Sequence, residues 1–266
     1  MTASSDGHAN VVKSHQHSQT AQRTLDILRL LAGSKDVLTL AAIARAVQAP
    51  KGSLYPILST MHTAGFVDRE QSSGHYSLSP KVLELSKNYL AHMDTVEAFN
   101  AVSASFVDRI DETMQMAVRS GTDIVYVARR DSTQPVRLVS TVGQRLPAHA
   151  TALGKCLLSE CSEAELAALY PTSTLEQFTE RTIGSREELV AAVREARNAG
   201  GAEDWEEITA GLCCAAAPVR DASGRIVAAV SFSMPVVRAD TATWRLLRSA
   251  IREAAAEISQ RIGFHG

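Results

Sequence analysis

Lys51, Ser53 and Tyr55 stand close together at the head of an apolar-periodic stretch, and Arg69 follows beside a polar turn. Small and polar groups at the start of a helix can reach base edges, and cations can meet phosphates. Lys51 and the backbone N–H groups of the helix start suit phosphate, and Arg69 suits the nucleic-acid backbone. A second set of residues lies further along. Thr151 precedes Ala152-Leu153-Gly154-Lys155. There it can cap a short helix whose free N–H groups favour a carboxylate. Ser231 and Ser233 are two apart in a strand-like run and so face the same side. Asp204, Glu206 and Glu207 form a carboxylate cluster that reads as a solvated or ligand-orienting loop.

No motif of covalent or metal chemistry accompanies these residues. There is no HExxH, no GxSxG, no GxxxxGK[ST] and no GxGxxG after a strand. The expectation is a protein that is not an enzyme and holds no cofactor or metal. The four cysteines, Cys156, Cys161, Cys213 and Cys214, form no CxxC pair, and they read as buried, reduced thiols. Cys213 and Cys214 would point to opposite faces of a strand. Met114, Met116, Trp205 and Trp244 read as packing residues, and His149 as a capping or packing residue beside the Thr151 segment.

The elements that must position these residues follow from periodicity. Residues 1–19 are polar and aperiodic, a disordered tail that carries His8, His15 and His17. Leu25, Leu28 and Leu31, with Ile27 beside them, predict a first helix that stops at Gly33. Residues 39–48 predict a second helix capped by Thr39. A third lies within 51–64, with Leu54, Leu58 and Met61 on one face. Proline inside a helix removes a donor, so Pro56 predicts a late start with Ser53 as N-cap. Two short strands around Gly74 close a hairpin. Three helices and a hairpin form a winged helix-turn-helix over residues 20–79, with the third helix in the major groove. Ser79-Pro80 opens a linker helix over 80–93. The 94–266 segment reads as an α+β domain on an antiparallel sheet. Its helices fall at 94–112, 151–159, 163–170 and 185–199, with a long last one from Trp244. Its strands fall at 114–119, 124–129, 136–140, 214–219 and 225–233.

With 266 residues, 45% hydrophobic and 21% charged, the chain is an ordinary globular protein of one or two domains. No apolar run approaches the roughly 18 residues of a membrane span. With no visible secretory signal, a cytoplasmic protein without membrane partners is expected. The net charge of −2 is uneven. Residues 1–90 carry 9 Lys and Arg against 6 Asp and Glu, and residues 91–266 carry 18 against 23. A basic front and an acidic back fit a nucleic-acid reader joined to another module.

Over about residues 20–263 the chain resembles the IclR-type transcriptional regulators. The front carries RTLDILRLLA, LTLAAIARAVQAPKGSLY, GFVDRE and GHYSLSPKVLELS; the back carries VGQRLPAHATALGKCLL (142–158), DWEEITAGLCCAAAPVRDASGRIVAAVSFS (204–233) and REAAAEISQRIG (252–263). The resemblance implies a winged-helix DNA-binding domain, a dimerising linker helix and a GAF-like effector-binding domain. It implies operator DNA and a small organic acid or aromatic effector as partners, and a homodimer or homotetramer that represses a catabolic operon. Matching positions make Ala152 and Leu153, through backbone N–H groups, and Asp204, Cys214, Ser231 and Ser233 the effector contacts. One position departs. Pro56 stands where the family commonly has arginine, and GSLYPIL resembles the recognition helix of PadR-type regulators instead. That departure motivates an alternative, a small-molecule-binding protein whose DNA role is lost or secondary.

Overall fold

Two prolines six residues apart decide how the third helix is built. A computed structural model of the chain describes residues 18–85, 94–136 and 140–266. Pro50, at φ −60° and ψ 139°, is the N-cap of a helix that runs from Lys51 to Thr63. The expected start at Ser53 is therefore corrected. Ser53 does not cap, because its hydroxyl donates backwards to the Pro50 carbonyl at 2.8 Å. Pro56 then lies inside the helix, and the Gly52 carbonyl loses the N–H it would receive. The helix tolerates this because Pro56 and Gly52 are on its exposed side, so the freed carbonyl is not buried away from solvent.

The chain divides into two compact units, Met1–Asn88 and Tyr89–Gly266. The first contains α1 (Gln19–Gly33), α2 (Leu40–Ala46), α3 (Lys51–Thr63), and the strands β1 (Leu38–Thr39), β2 (Val67–Arg69) and β3 (His75–Leu78). Thr39 caps α2, its hydroxyl accepting from the Ala42 N–H at 3.2 Å. The strands form an antiparallel sheet in the order β1-β3-β2, a winged helix-turn-helix. Ile27, Leu31, Ile43, Leu54, Leu58, Met61, Val67 and Tyr76 build its core. The stripe expected on α1 is rotated. Ile27 and Leu31, four apart, are buried, while Leu25 is 50% exposed. Residues 81–85 are helical; the rest of the expected linker helix and the tail through residue 17, with its histidines, lie outside the described residues.

The second unit has α4 (Asp94–Ile110), β4 (Thr113–Ser120), β5 (Asp123–Arg130), β6 (Arg145–Pro147), α5 (Ala152–Leu158), α6 (Glu163–Leu169), α7 (Arg186–Ala199), β7 (Ala202–Trp205), β8 (Leu212–Arg220), β9 (Ile226–Pro235) and α8 (Thr241–Arg261). Its six-stranded sheet is antiparallel throughout, in the order β6-β5-β4-β9-β8-β7. The two short strands β6 and β7 fall outside the expected set. The centre of the candidate strand at 136–140 lies outside the described residues.

Strand alternation divides the sheet between two cores. On one face Met114, Met116, Cys213, Ala215, Phe232 and Met234 pack with Phe99, Phe106, Trp244, Leu247, Ile251 and Ile258 of α4 and α8. On the other, Ala117, Tyr126, Cys214, Ala216 and Ala229 pack with Leu153, Leu157, Leu158, Leu166, Leu189 and Val193 of α5, α6 and α7. The small residues of β8 let helices close on both sides. A register shift between Met116 and Ala117 sets Tyr126 opposite Ala117, on the second face.

Candidate functional site

All six residues assigned from the 142–158 and 204–233 segments converge. Ala152, Leu153, Asp204, Cys214, Ser231 and Ser233 line one cavity of about 170 Å³ in the second unit. The sheet register places them. Asp204 of β7 pairs with Cys214 of β8, which pairs with Ser233 of β9; one row away, Ser231 lies between Ala216 and Gln115 of β4. Period-two alternation sends Cys213 to the opposite core, so the adjacent cysteines part as expected. The polar floor is hydrogen-bonded within itself. The Ser233 hydroxyl donates to Gln115 Oε1 at 3.2 Å and lies 3.2 Å from Cys214 Sγ, while Gln115 Nε2 donates to the Ser140 hydroxyl. Burial and the nearby Asp204 push the Cys214 thiol well above its usual range, so it stays protonated and unreactive.

The α5 N-terminus forms the wall opposite the floor. Thr151 Oγ1 accepts from the Gly154 N–H at 3.0 Å, as expected of a cap. The Ala152 and Leu153 N–H groups are first-turn donors without an intrahelical acceptor. Gly154 is required: a Cβ there would fall inside the backbone of Ala148.

The loop between β7 and β8 closes the rim with Ile208 and Thr209. Its backbone turns at Glu206, at φ +62°, a left-handed conformation a side chain seldom takes. Several bonds hold it there. The Glu206 carboxylate accepts from the Gly211 N–H at 2.7 Å, Thr179 donates to the Glu206 carbonyl at 2.6 Å, and Thr182 donates to the Glu207 carbonyl. Lys155 of α5 pairs with Glu207 at 2.5 Å, both side chains being largely buried. Asp204 Oδ1 accepts from the Glu207 N–H at 2.8 Å. Burial, with help from the Glu207 charge, raises the Asp204 carboxyl to about 7, against the lowering effects of that N–H bond and of Lys155. Among the described lining residues there is no Lys, Arg or His.

Gln115, Tyr126, Ser140, Gln144, Leu146, Ile208, Thr209 and Leu212 also line the cavity, and none was singled out from sequence as a lining residue. The signal for Gln115 was present, since a lone amide between Met114 and Met116 must face the other way along a strand. The methionines are core residues, as read. His149 lies outside the cavity lining, its Nε2 against the Glu176 carbonyl at 2.9 Å and its ring edge-on to Tyr170. Trp205 and Trp244 pack together, both indoles donating to Glu203 Oε2.

In the first unit, α3 sets Lys51 and Tyr55 one turn apart on the same exposed side. Ser53 is turned away from them, half-buried, with its hydroxyl engaged by Pro50. Arg69 is exposed on β2, its guanidinium 5.8 Å from the centre of the Tyr76 ring.

Comparison with known proteins places both units. Residues 20–71 match the family model described as IclR helix-turn-helix domain, and residues 87–260 match that described as Bacterial transcriptional regulator IclR C-terminal. The chain is 30% identical to the HTH-type transcriptional regulator XynR of Escherichia coli (strain K12), over 92% of this chain and 98% of XynR. The crystal structure of the Agobacterium tumefaciens repressor BlcR is 30% identical, with a TM-score of 0.61 over 93% of this chain and 98% of that one. A fold match at 22% identity and a TM-score of 0.80 covers 91% of this chain and 98% of an IclR homolog from Microbacterium hydrocarbonoxydans complexed with 4-hydroxybenzoate.

Proposed function

Because the chain belongs to the IclR family of DNA-binding transcriptional regulators, we propose that it is a repressor released from its operator by a small organic acid or aromatic compound. The observation that carries this reading is the convergence of Asp204, Cys214, Ser231 and Ser233 with the open first turn of α5 on one cavity. A volume of about 170 Å³ is close to that of engineered cavities which hold a single benzene ring.

The roles assigned to the residues follow. The Ala152 and Leu153 N–H groups receive the ligand's acidic group, which finds no cationic side chain among the described lining residues. Asp204 in its protonated form donates to the ligand instead of repelling it. Ser231 and Ser233, backed by Gln115, fix its orientation. Lys51 and Arg69 meet phosphates and Tyr55 lies along the major groove, while Ser53 is held at the helix start by its bond to the Pro50 carbonyl. A catabolic operon as target, a homodimer or homotetramer as the working form and a cytoplasmic location belong to the same reading. So does the absence of catalysis. Among the described residues no helix is long and apolar enough to cross a membrane.

The test is fluorescence anisotropy with the protein's own upstream intergenic DNA across a salt series, with unrelated duplex as control. 4-Hydroxybenzoate and short aliphatic keto- and hydroxy-acids are then added as release probes. Sequence-preferring binding that an acid releases supports the proposal. Binding equal to the control favours a sensor whose DNA role is lost.

A further inference from the structure

The side chains of α3 point to an unusual way of reading bases. The helix spans Lys51-Gly-Ser-Leu-Tyr-Pro-Ile-Leu-Ser-Thr-Met-His-Thr63, and it contains no Arg, Asn, Gln, Asp or Glu. Arginine or lysine to guanine, Asn or Gln to adenine, and Asp or Glu to cytosine are the strong side-chain pairings of the major groove. Lys51, at the first position of the helix, is the single residue of α3 able to make one of them. Two of its hydroxyl hydrogens are engaged as well, while the Tyr55, Ser59 and Thr63 hydroxyls are exposed. Ser53 donates to the Pro50 carbonyl at 2.8 Å and Thr60 donates to the Pro56 carbonyl at 2.9 Å. His62 is turned to the Val67 carbonyl at 2.8 Å.

Beside the Lys51 ammonium and the Ser59 hydroxyl, α3 presents a patch of carbon outward. Tyr55 is 49% exposed, and Pro56 beside it is exposed as well. Thr60, one turn on from Pro56, is exposed too, its hydroxyl hydrogen tied to the helix. Pro56 removes a helix hydrogen bond without filling any place in the core, so its ring serves no internal packing. Gly52, one turn earlier, has open space where a Cβ would stand, so no described neighbour requires glycine there. The same unit carries exposed cations at Lys51, at Arg45 in the last turn of α2, and at Arg69 on the wing strand. Cations of this kind suit phosphates.

We propose that α3 reads its operator by apolar contact of Tyr55, Pro56 and the Thr60 methyl with thymine methyl groups, and that Gly52 lets the helix backbone approach the bases closely. This rests on the DNA-binding reading above and specifies the base class that the helix selects. Runs of A·T pairs under α3 are the expected half-site core.

The test starts with the full-length protein selecting duplexes from a random pool. Each thymine of the enriched site is then replaced singly by deoxyuridine, which removes only the methyl group. Loss of about fourfold per contacted methyl is expected, the effect of withdrawing one buried carbon from water. Gly52→Ala and Pro56→Ala should raise the melting temperature yet lower specific affinity at least fivefold, with non-specific affinity unchanged. Purely structural residues would not give that opposition. Deoxyuridine replacements without effect would overturn the proposal. So would a tenfold loss on replacing guanine with 7-deazaguanine that disappears in Lys51→Ala, because guanine would then be read by Lys51. A pool that shows no enrichment removes the DNA-binding reading itself, and this proposal with it.

Discussion

Asp204 is the residue where burial and function compete most directly. Its carboxyl is raised to about 7, whereas an unfolded aspartate stays near 3.8. Between those values the folded chain holds a proton that the unfolded chain has released. The stabilising contribution is therefore complete below about pH 4 and is lost as pH rises through about 7. Melting curves at pH 5, 6.5 and 8 should show the wild type losing more stability than Asp204→Asn, which cannot ionise. Equal slopes would mean that Asp204 is already charged in the fold. Gly154 makes a sharper demand. Gly154→Ala drives a methyl into the Ala148 backbone and should destabilise by about 3 kcal/mol, the upper range of overpacking, measured by urea denaturation. The carboxylate at 204 was legible as part of an acidic run. Its protonation was not, because that depends first on burial in the folded unit, and then on the Glu207 charge that raises it and the Lys155 charge that lowers it.

At the scale of elements, β7, β8 and β9 form the side of the cavity where the polar groups gather. Ser233→Ala removes the donor to Gln115 and should weaken binding of a releasing acid about tenfold, leaving apo DNA affinity unchanged. Titration of ligand and of DNA against the same preparation separates the two. A parallel loss of DNA affinity would indicate general destabilisation instead. For α3, Lys51→Ala should lower the slope of log K against log salt by about one, equally on all sequences, if the ammonium meets one phosphate. Most of these elements were readable from sequence because their signals are local: Thr39 and Thr151 as caps, alternation through 114–119, and the three- and four-residue spacing from Trp244. The misread ones were set by tertiary context. The start of α3 follows Pro50 geometry and not the side-chain chemistry of Ser53. Strands β6 and β7 are three and four residues long, too short to show a period, and exist because β5 and β8 offer edges to pair with.

For the whole molecule, regulation requires the ligand to distinguish two arrangements of a chain that reads DNA through one unit and binds the ligand in the other. Its effect is limited by that difference in affinity. Linkage then imposes a symmetry. If an acid weakens operator binding by a given factor, saturating operator must weaken the acid's binding by the same factor, commonly 5- to 150-fold. Calorimetric titration of the acid with and without bound operator should return equal factors. Unequal factors would reveal a second acid site or a change of assembly. The two-module plan was visible in the uneven charge of the front and back segments. The union of Asp204, Cys214, Ser233 and Gln115 was not, since only strand pairing sets Gln115 opposite Ser231 and so within reach of the Ser233 hydroxyl.

The alternation of β4, β8 and β9 has a consequence for how such a protein changes over generations. Odd and even positions of one strand answer to different pressures. Gln115, Cys214, Ser231 and Ser233 line the cavity, while Met114, Met116, Cys213, Phe232 and Met234 pack against the helices behind. A lineage can exchange the first set to follow a new nutrient while inheriting the second intact. New specificities can thus arise one substitution at a time, each on a scaffold that still folds.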